Sequence, residues 1–154
     1  DGSFDAAIFL NSLHHVPVAL MAEALIEALR VVGRAGSVVV VEPLPEGPFF
    51  EAMRPLEDEA DIRSAAQDAL ATLIASGAAE LLALREWERV ERFATLDDFI
   101  ARILAADPGR ARHLAAARPA LAARFENLAE REGTRHVLRQ PLRLHQLRAA
   151  SADP

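Results

Sequence analysis

The sequence predicts an α/β fold, and three observations carry that prediction. Ser37-Val38-Val39-Val40-Val41-Glu42 sets four valines in a row, a run that suits a central strand. Phe4-Asp5-Ala6-Ala7-Ile8-Phe9-Leu10 is a second short apolar run with turn residues before it and polar residues after it. It reads as a strand buried on both faces of a parallel sheet. Between the two, from about Val18 to Val32, Leu25, Leu29 and Val32 recur at helical spacing beside a polar stripe of Glu23, Glu27, Arg30 and Arg34. Strand, helix and strand in this order form a βαβ unit, with parallel strands and a right-handed crossover.

The remaining elements follow in order. Gly33 and Gly36 bracket the end of the first helix, as C-cap glycines do. The segment Glu42-Pro43-Leu44-Pro45-Glu46-Gly47-Pro48 holds three prolines, which cannot continue a ladder. Phe49 to about Leu56 is irregular or a short helix, and a long helix runs from about Asp58 to Ser76 with Gly77 beyond it. Glu80 to Phe93, with Trp87 and Val90 among many charges, suggests an exposed strand. Thr95-Leu96-Asp97-Asp98 has the form of an N-cap with an acid three residues on, opening a helix that packs Phe99, Ile100, Ile103 and Leu104. Asp107-Pro108 opens another helix, which Pro119 should split or kink and Gly133 should end. From Thr134 to about Arg148, Leu138, Leu142 and Leu144 alternate with Arg139, Arg143 and His145, a strand in which Pro141 calls for a bulge or a start. Ala149 to Pro154 is expected to be a disordered tail.

Composition narrows the function. A length of 154 residues with 51% hydrophobic side chains fits one domain with a packed core. The net charge of −6 excludes nucleic acid as the main partner, because phosphate binding needs clustered positive charge. All 17 basic residues are arginine, a coding bias with little functional content. No run reaches the roughly 18–20 apolar residues of a membrane span, so no membrane partner is expected. With no cysteine there is no disulfide framework or thiolate metal site, and a reducing cytoplasm is the expected location. The opening Asp1-Gly2-Ser3, without an initiator methionine, reads as a processed product, an excised domain or a fragment.

Two stretches carry a family resemblance. Asp1-Gly2-Ser3-Phe4-Asp5, an apolar strand and then Leu13-His14-His15-Val16 resembles the fourth-strand region of class I S-adenosylmethionine-dependent methyltransferases of the type 11 kind. Leu29-Arg30-Val31-Val32-Gly33-Arg34-Ala35-Gly36-Ser37, the valine strand and Glu42-Pro43 are similar to the helix and turn that feed that family's fifth strand. Arg34-Ala35-Gly36-Ser37 stands where the family has Lys-Pro-Gly-Gly, so one of two glycines is kept. The resemblance is close over the first 45 residues or so, and beyond them holds in element order only. It implies a partial Rossmann-like methyltransferase sheet flanked by helices, with strands 4 and 5 parallel and an antiparallel hairpin of strands 6 and 7. It also implies that residues 1–148 are the C-terminal half of such a domain. The family's glycine-rich cofactor turn has no counterpart here, since no Gly-x-Gly occurs in the chain. Weak or no cofactor binding is therefore expected of this chain alone, and the activity belongs to a longer parent.

The resemblance places Leu10, Asn11 and Ser12 beside the cofactor, S-adenosylmethionine. Loops at the carboxyl edge of an open α/β sheet are where ligands bind, which supports this independently. Asn11 and Ser12 read equally as a turn capping the next helix. His14 and His15 are the candidates for a general base on the methyl acceptor. Neighbouring residues cannot both face one site from a regular strand, and His15 matches the family's recurrent histidine. Glu42, at the end of its strand, either contacts the acceptor or bonds to nearby backbone. Phe49 and Phe50, with Met53, either cover an apolar acceptor or belong to the core. No metal site is expected, because two adjacent histidines and a distant glutamate lack zinc spacing.

Methyl transfer to a small-molecule acceptor by the parent protein is the leading expectation. The alternative is a non-catalytic α/β module that associates with itself. If Ile8–Leu10 forms the sheet's open edge, a homodimer, a swapped assembly or aggregation is expected through it. An all-helical interaction domain is the third possibility, against which the valine strand argues.

Overall fold

The computed structural model describes residues 2–150. Its strands are β1 (Ala6–Leu10), β2 (Ser37–Pro43), β3 (Ala79–Phe93), β4 (Glu130–Glu132) and β5 (Arg135–Ala149). Its α-helices are α1 (Met21–Val32), α2 (Pro48–Met53), α3 (Ala60–Ala75), α4 (Leu96–Ala106) and α5 (Ala111–Leu128). Among the described residues the strands form one mixed sheet in the order β1-β2-β5-β3, with β4 also paired to β5. The expected α/β architecture is therefore present, and no helix among the described residues is long and apolar enough to cross a membrane. Contacts divide the chain into two compact units, between which β3 and β5 are shared.

The first unit holds the residues up to Leu44, Asp61–Trp87 and those from Leu142. β1 and β2 run parallel, from Ala6 opposite Ser37 to Leu10 opposite Val41, with α1 as the crossover. This is the βαβ unit read from the valine run and the helical spacing. β5 then pairs antiparallel with β2, from Val38 opposite Leu147 to Pro43 opposite Leu142. Met21, Leu25 and Leu29 of α1, Leu70 and Leu73 of α3, and Val38, Val40 and Leu147 of the sheet share one core cluster. Those side chains lose most of their contact with water, and each contributes roughly 1.5–3 kcal/mol on full burial. At Gly36 a Cβ atom would lie 2.7 Å from the Val32 carbonyl oxygen and 2.9 Å from that of Asp5. The retained glycine is thus required by the close turn from α1 into β2.

A polar group adjoins this core. Arg143 donates to Gln67 Oε1 at 3.0 Å and to Glu86 Oε1 at 2.6 Å. His145, two residues on, is buried, and its Nδ1 is sealed from solvent without a hydrogen-bond partner among the described residues. β1 is the end strand of the sheet. Its Ile8 and Leu10 are 67% and 63% exposed, as is Phe4 just before it at 62%. β1 was expected to be buried on both faces; instead Ala6, Ile8 and Leu10 face outward while Ala7 and Phe9 pack on the core.

The second unit holds Pro45–Ala60 and Glu88–Pro141. Phe49 and Met53 of α2, Phe99 and Ile103 of α4, Leu121 and Phe125 of α5, with Phe93 and Leu138, make its core. Phe99 sits at its centre, with ring centroids 5.3 Å from Phe93, 5.4 Å from Phe49 and 5.3 Å from Phe125. α4 opens with the capping box read from sequence: Asp98 N donates to Thr95 Oγ1 at 3.1 Å and Thr95 N to Asp98 Oδ2 at 3.0 Å. Arg110, just before α5, is buried between Glu57 and Glu59.

α5 passes through Pro119 as one helix, so of the expected split or kink the split is corrected. Proline there removes one backbone bond, and buried Ala117, Leu121 and Phe125 on either side hold the helix to the core. The helix also stops at Leu128 rather than at Gly133. Glu130–Glu132 instead pairs antiparallel with Arg135–Val137, and Gly133, at φ +60°, supplies the left-handed turn between them. Pro141 lies inside β5, so of the expected bulge or strand start the start is corrected. It falls between the residues that pair with β4 and those that pair with β2, where neither register calls on its missing N–H. The final strand extends to Ala149, and residues 151–154 of the expected tail lie outside those described.

Candidate functional site

The chain leaves β1 through a loop whose shape is set by one carboxylate. Asn11 N donates to the Val41 carbonyl at 2.8 Å, continuing the β1–β2 ladder by one bond. Asn11 then turns with φ +49°, a left-handed conformation that asparagine tolerates better than most residues. Ser12 N and Leu13 N both donate to Glu42 Oε1, at 2.9 Å and 2.7 Å. His14 Nδ1 bonds to the other carboxylate oxygen, Oε2. A 3-10 turn over Leu13–His15 follows, with Leu13 fully buried in the first unit's core.

Glu42 reaches this loop because β1 and β2 are parallel. Their carboxyl ends lie at the same sheet edge, and Glu42 is the next-to-last residue of β2. Burial works to raise its pKa. The hydrogen bond and charge of His14 and the amides of Leu13 and Ser12 outweigh burial, and they hold the carboxyl below its usual range. Glu42 is therefore a carboxylate that only accepts, so His14 Nδ1 carries the proton in their shared bond. His15 is exposed and stacks on His14, ring centroids 4.1 Å apart.

Leu10, Asn11, Ser12, His14 and Glu42 thus converge on one edge, the edge where open α/β sheets place ligands. Asn11 Oδ1 is buried there without a hydrogen-bond partner among the described residues. An acceptor in that condition is costly unless something supplies a donor. Phe49 and Phe50 belong to the second unit. Phe49 is 5% exposed within the aromatic cluster, and Phe50 is fully buried with the Arg54 guanidinium over its ring. Met53 is buried in the same core. Of the two readings open for Glu42, its bonds here are those of a strand-terminal acid tied to nearby backbone.

Sequence reading did not pair Glu42 with His14. The signal was available: parallel strands bring the residues just past Leu10 beside the end of β2, and an acid there faces whatever leaves β1. It was equally silent on His145, which has no sequence neighbour to suggest burial.

No family model matches the sequence, and no curated protein matches it. Solved structures do. One is described as "a putative methyltransferase (BH2331) from Bacillus halodurans C-125"; it superposes with a TM-score of 0.56 at 19% identity, over 98% of this chain and 66% of that one. YcgJ of Bacillus subtilis superposes with a TM-score of 0.52 at 17% identity, over the same shares. The chain thus spans just under two thirds of the length of each. Over the matched length the chain has a methyltransferase-like fold, the fold that the motifs around His14 and Gly36 imply by resemblance.

Proposed function

We propose that this chain forms part of an S-adenosylmethionine-dependent methyltransferase acting on a small-molecule acceptor, with the activity residing in a longer parent protein. The observation that carries this reading is the loop after β1, held open by Glu42 and presenting the unpartnered Asn11 Oδ1 at the carboxyl edge. By the family resemblance that edge faces the donor, and it is the edge where open α/β sheets bind ligands. Asn11 Oδ1 suits an ammonium or amide N–H of the donor's amino-acid portion, while Leu10 and Ser12 border the same place. When bound, the donor supplies a methyl group on a positively charged sulfur. The chain's own share is to hold the acceptor and the methyl group in line, where positioning supplies most of the rate.

These residues fit one edge of a donor site and not the whole of it. Glycine-rich turns let backbone amides approach such a ligand, and no Gly-x-Gly segment is present. The 66% coverage of the structural neighbours leaves room for that part in a longer polypeptide. Calorimetric titration with S-adenosylhomocysteine tests the reading. Binding once upstream residues are joined to Asp1 supports it, and no binding in either form overturns it.

A second reading has its own observation. β1 ends the sheet, and Phe4, Ile8 and Leu10 present apolar side chains to solvent there. An uncharged open edge of this kind pairs readily with another chain. Self-association through β1, as a homodimer in the cytoplasm, is the form this takes for the chain by itself. Light scattering across a concentration series distinguishes it from a monomer.

A further inference from the structure

The first unit's helices cover one face of its sheet. α1 and α3 both pack with Ala7, Phe9, Val38, Val40 and Leu147 in a single core cluster. Side chains alternate across a strand, so the residues between these point to the other face. There Ile8 lies opposite Val39 and Leu10 opposite Val41, while Val41 in turn lies opposite Leu144 of β5. Among the described residues, none of these except Ile8's and Leu10's own strand neighbours belongs to the cluster under α1 and α3. Ile8 and Leu10 are 67% and 63% exposed, and Val39 and Leu144 are half-buried.

The charge of this face says what fits it. On β1 and β2 it carries no charged side chain. On β5 its one charge in the first unit is Arg148, which donates to Glu80 Oε2 at 2.7 Å. Its two uncharged polar side chains answer each other, since Gln146 Nε2 donates to Ser37 Oγ at 3.4 Å. Covering the face therefore strands no polar side chain. A strongly charged partner or an anionic lipid surface finds nothing there to pair with. A second copy does. The chain's net charge of −6 sets copies against each other everywhere except on uncharged surface. A two-fold axis lays one apolar patch on itself. The sheet's other end strand, β3, instead ties Glu80 and Glu86 to Arg148 and Arg143 of β5. Charges of that kind on an edge resist association, which puts the contact on the β1 side.

We propose that two copies of this chain pack this face on itself, sheet against sheet, with β1 of one copy over β1 of the other. Ile8, Leu10, Val39 and Leu144 form the centre of the contact, with the sheets about 10 Å apart. The inference rests on the self-association reading above and deepens it. Edge pairing joins backbones along β1, whereas here side chains meet and the outer amides of β1 stay free.

Light scattering across a concentration series, with hydrogen exchange beside it, tests this on the 154-residue chain. The mass should rise to that of two chains and stop there. Leu144→Lys lies on β5, two strands in from the edge, and should give a monomer where the wild type is a dimer, with an unchanged circular dichroism spectrum. Hydrogen exchange makes the same distinction without a variant. The outer amides of β1 should exchange equally fast in monomer and dimer, whereas edge pairing would slow them. A dimer that a folded Leu144→Lys leaves intact, or that protects those amides, overturns the face contact and keeps the edge. A monomer at every concentration overturns self-association in both forms. A chain extended upstream that is monomeric where the shorter one dimerises gives this face to the upstream residues and overturns the second copy as its partner.

Discussion

Glu42 and His14, 28 residues apart in sequence, share a buried hydrogen bond that ties the carboxyl end of β2 to the loop leaving β1. The bond does more than join two side chains. With the amides of Ser12 and Leu13 on the same carboxylate, it fixes the path of the loop on which Asn11 stands.

Removing that carboxylate should be costly. Glu42→Ala leaves two amides and one imidazole N–H without their acceptor in a buried place, and breaking such a set costs about 3 kcal/mol. For a chain of this size that is a fall in Tm of about 6–12 °C. Thermal melts of the two proteins check it, and a fall of less than about 2 °C would mean the clamp is not formed in solution.

The response to acid should come in two parts with the same sign. Burial, then the charge of Arg143, hold His145 below its ordinary range against the opposing effect of Glu86. The unfolded chain binds a proton there near pH 6.5, before the folded chain does. Stability from His145 is therefore full above about pH 6.5 and falls as the pH drops from there. Glu42, also held low, keeps its contribution above about pH 4.3 and loses it as the pH falls through the lower folded value. Denaturant titrations should show His145→Leu flattening the upper slope alone and Glu42→Gln the lower one alone.

The open edge predicts a change in association without a change in stability. Ile8 is 67% exposed, so Ile8→Lys should alter unfolding free energy by less than about 0.5 kcal/mol. A charge on that edge should also oppose pairing. Light scattering should then find the wild-type chain associating as concentration rises, and the lysine variant monomeric at the same concentrations.

The second unit's aromatic cluster should be far more sensitive than its helix caps. Phe99→Ala empties a fully buried site with three ring neighbours and should cost about 3–5 kcal/mol. Thr95→Ala removes one cap acceptor at the exposed start of α4 and should cost about 1 kcal/mol. Equal losses in chemical denaturation would contradict the described core.

Local signals made much of this fold legible. The valine run of β2, the spacing of Leu25, Leu29 and Val32, and the Thr95–Asp98 box each act within one element, and the structure has each of them. The misreadings occur where a local preference is overridden by packing or by a partner far along the chain. Pro119 disfavours a helix, yet Leu121 and Phe125 bury it in one. Gly133 reads as a helix end, yet β5 gives Glu130–Glu132 a strand to pair with. The site divides in the same way. Leu10, Asn11, Ser12, His14 and Glu42 were found as separate candidates by their place at strand ends. The clamp joining them depends on the β1–β2 register, which no single segment encodes.

The most direct test of methyl-donor binding at this edge is calorimetric titration of S-adenosylhomocysteine into the chain extended by its upstream residues, beside the same protein carrying Asn11→Ala. Micromolar binding that weakens about tenfold in the variant is the predicted result, as for loss of one buried hydrogen bond to a charged group. Absence of binding, or binding that Asn11→Ala leaves unchanged, would contradict the placement of the donor at the loop after β1.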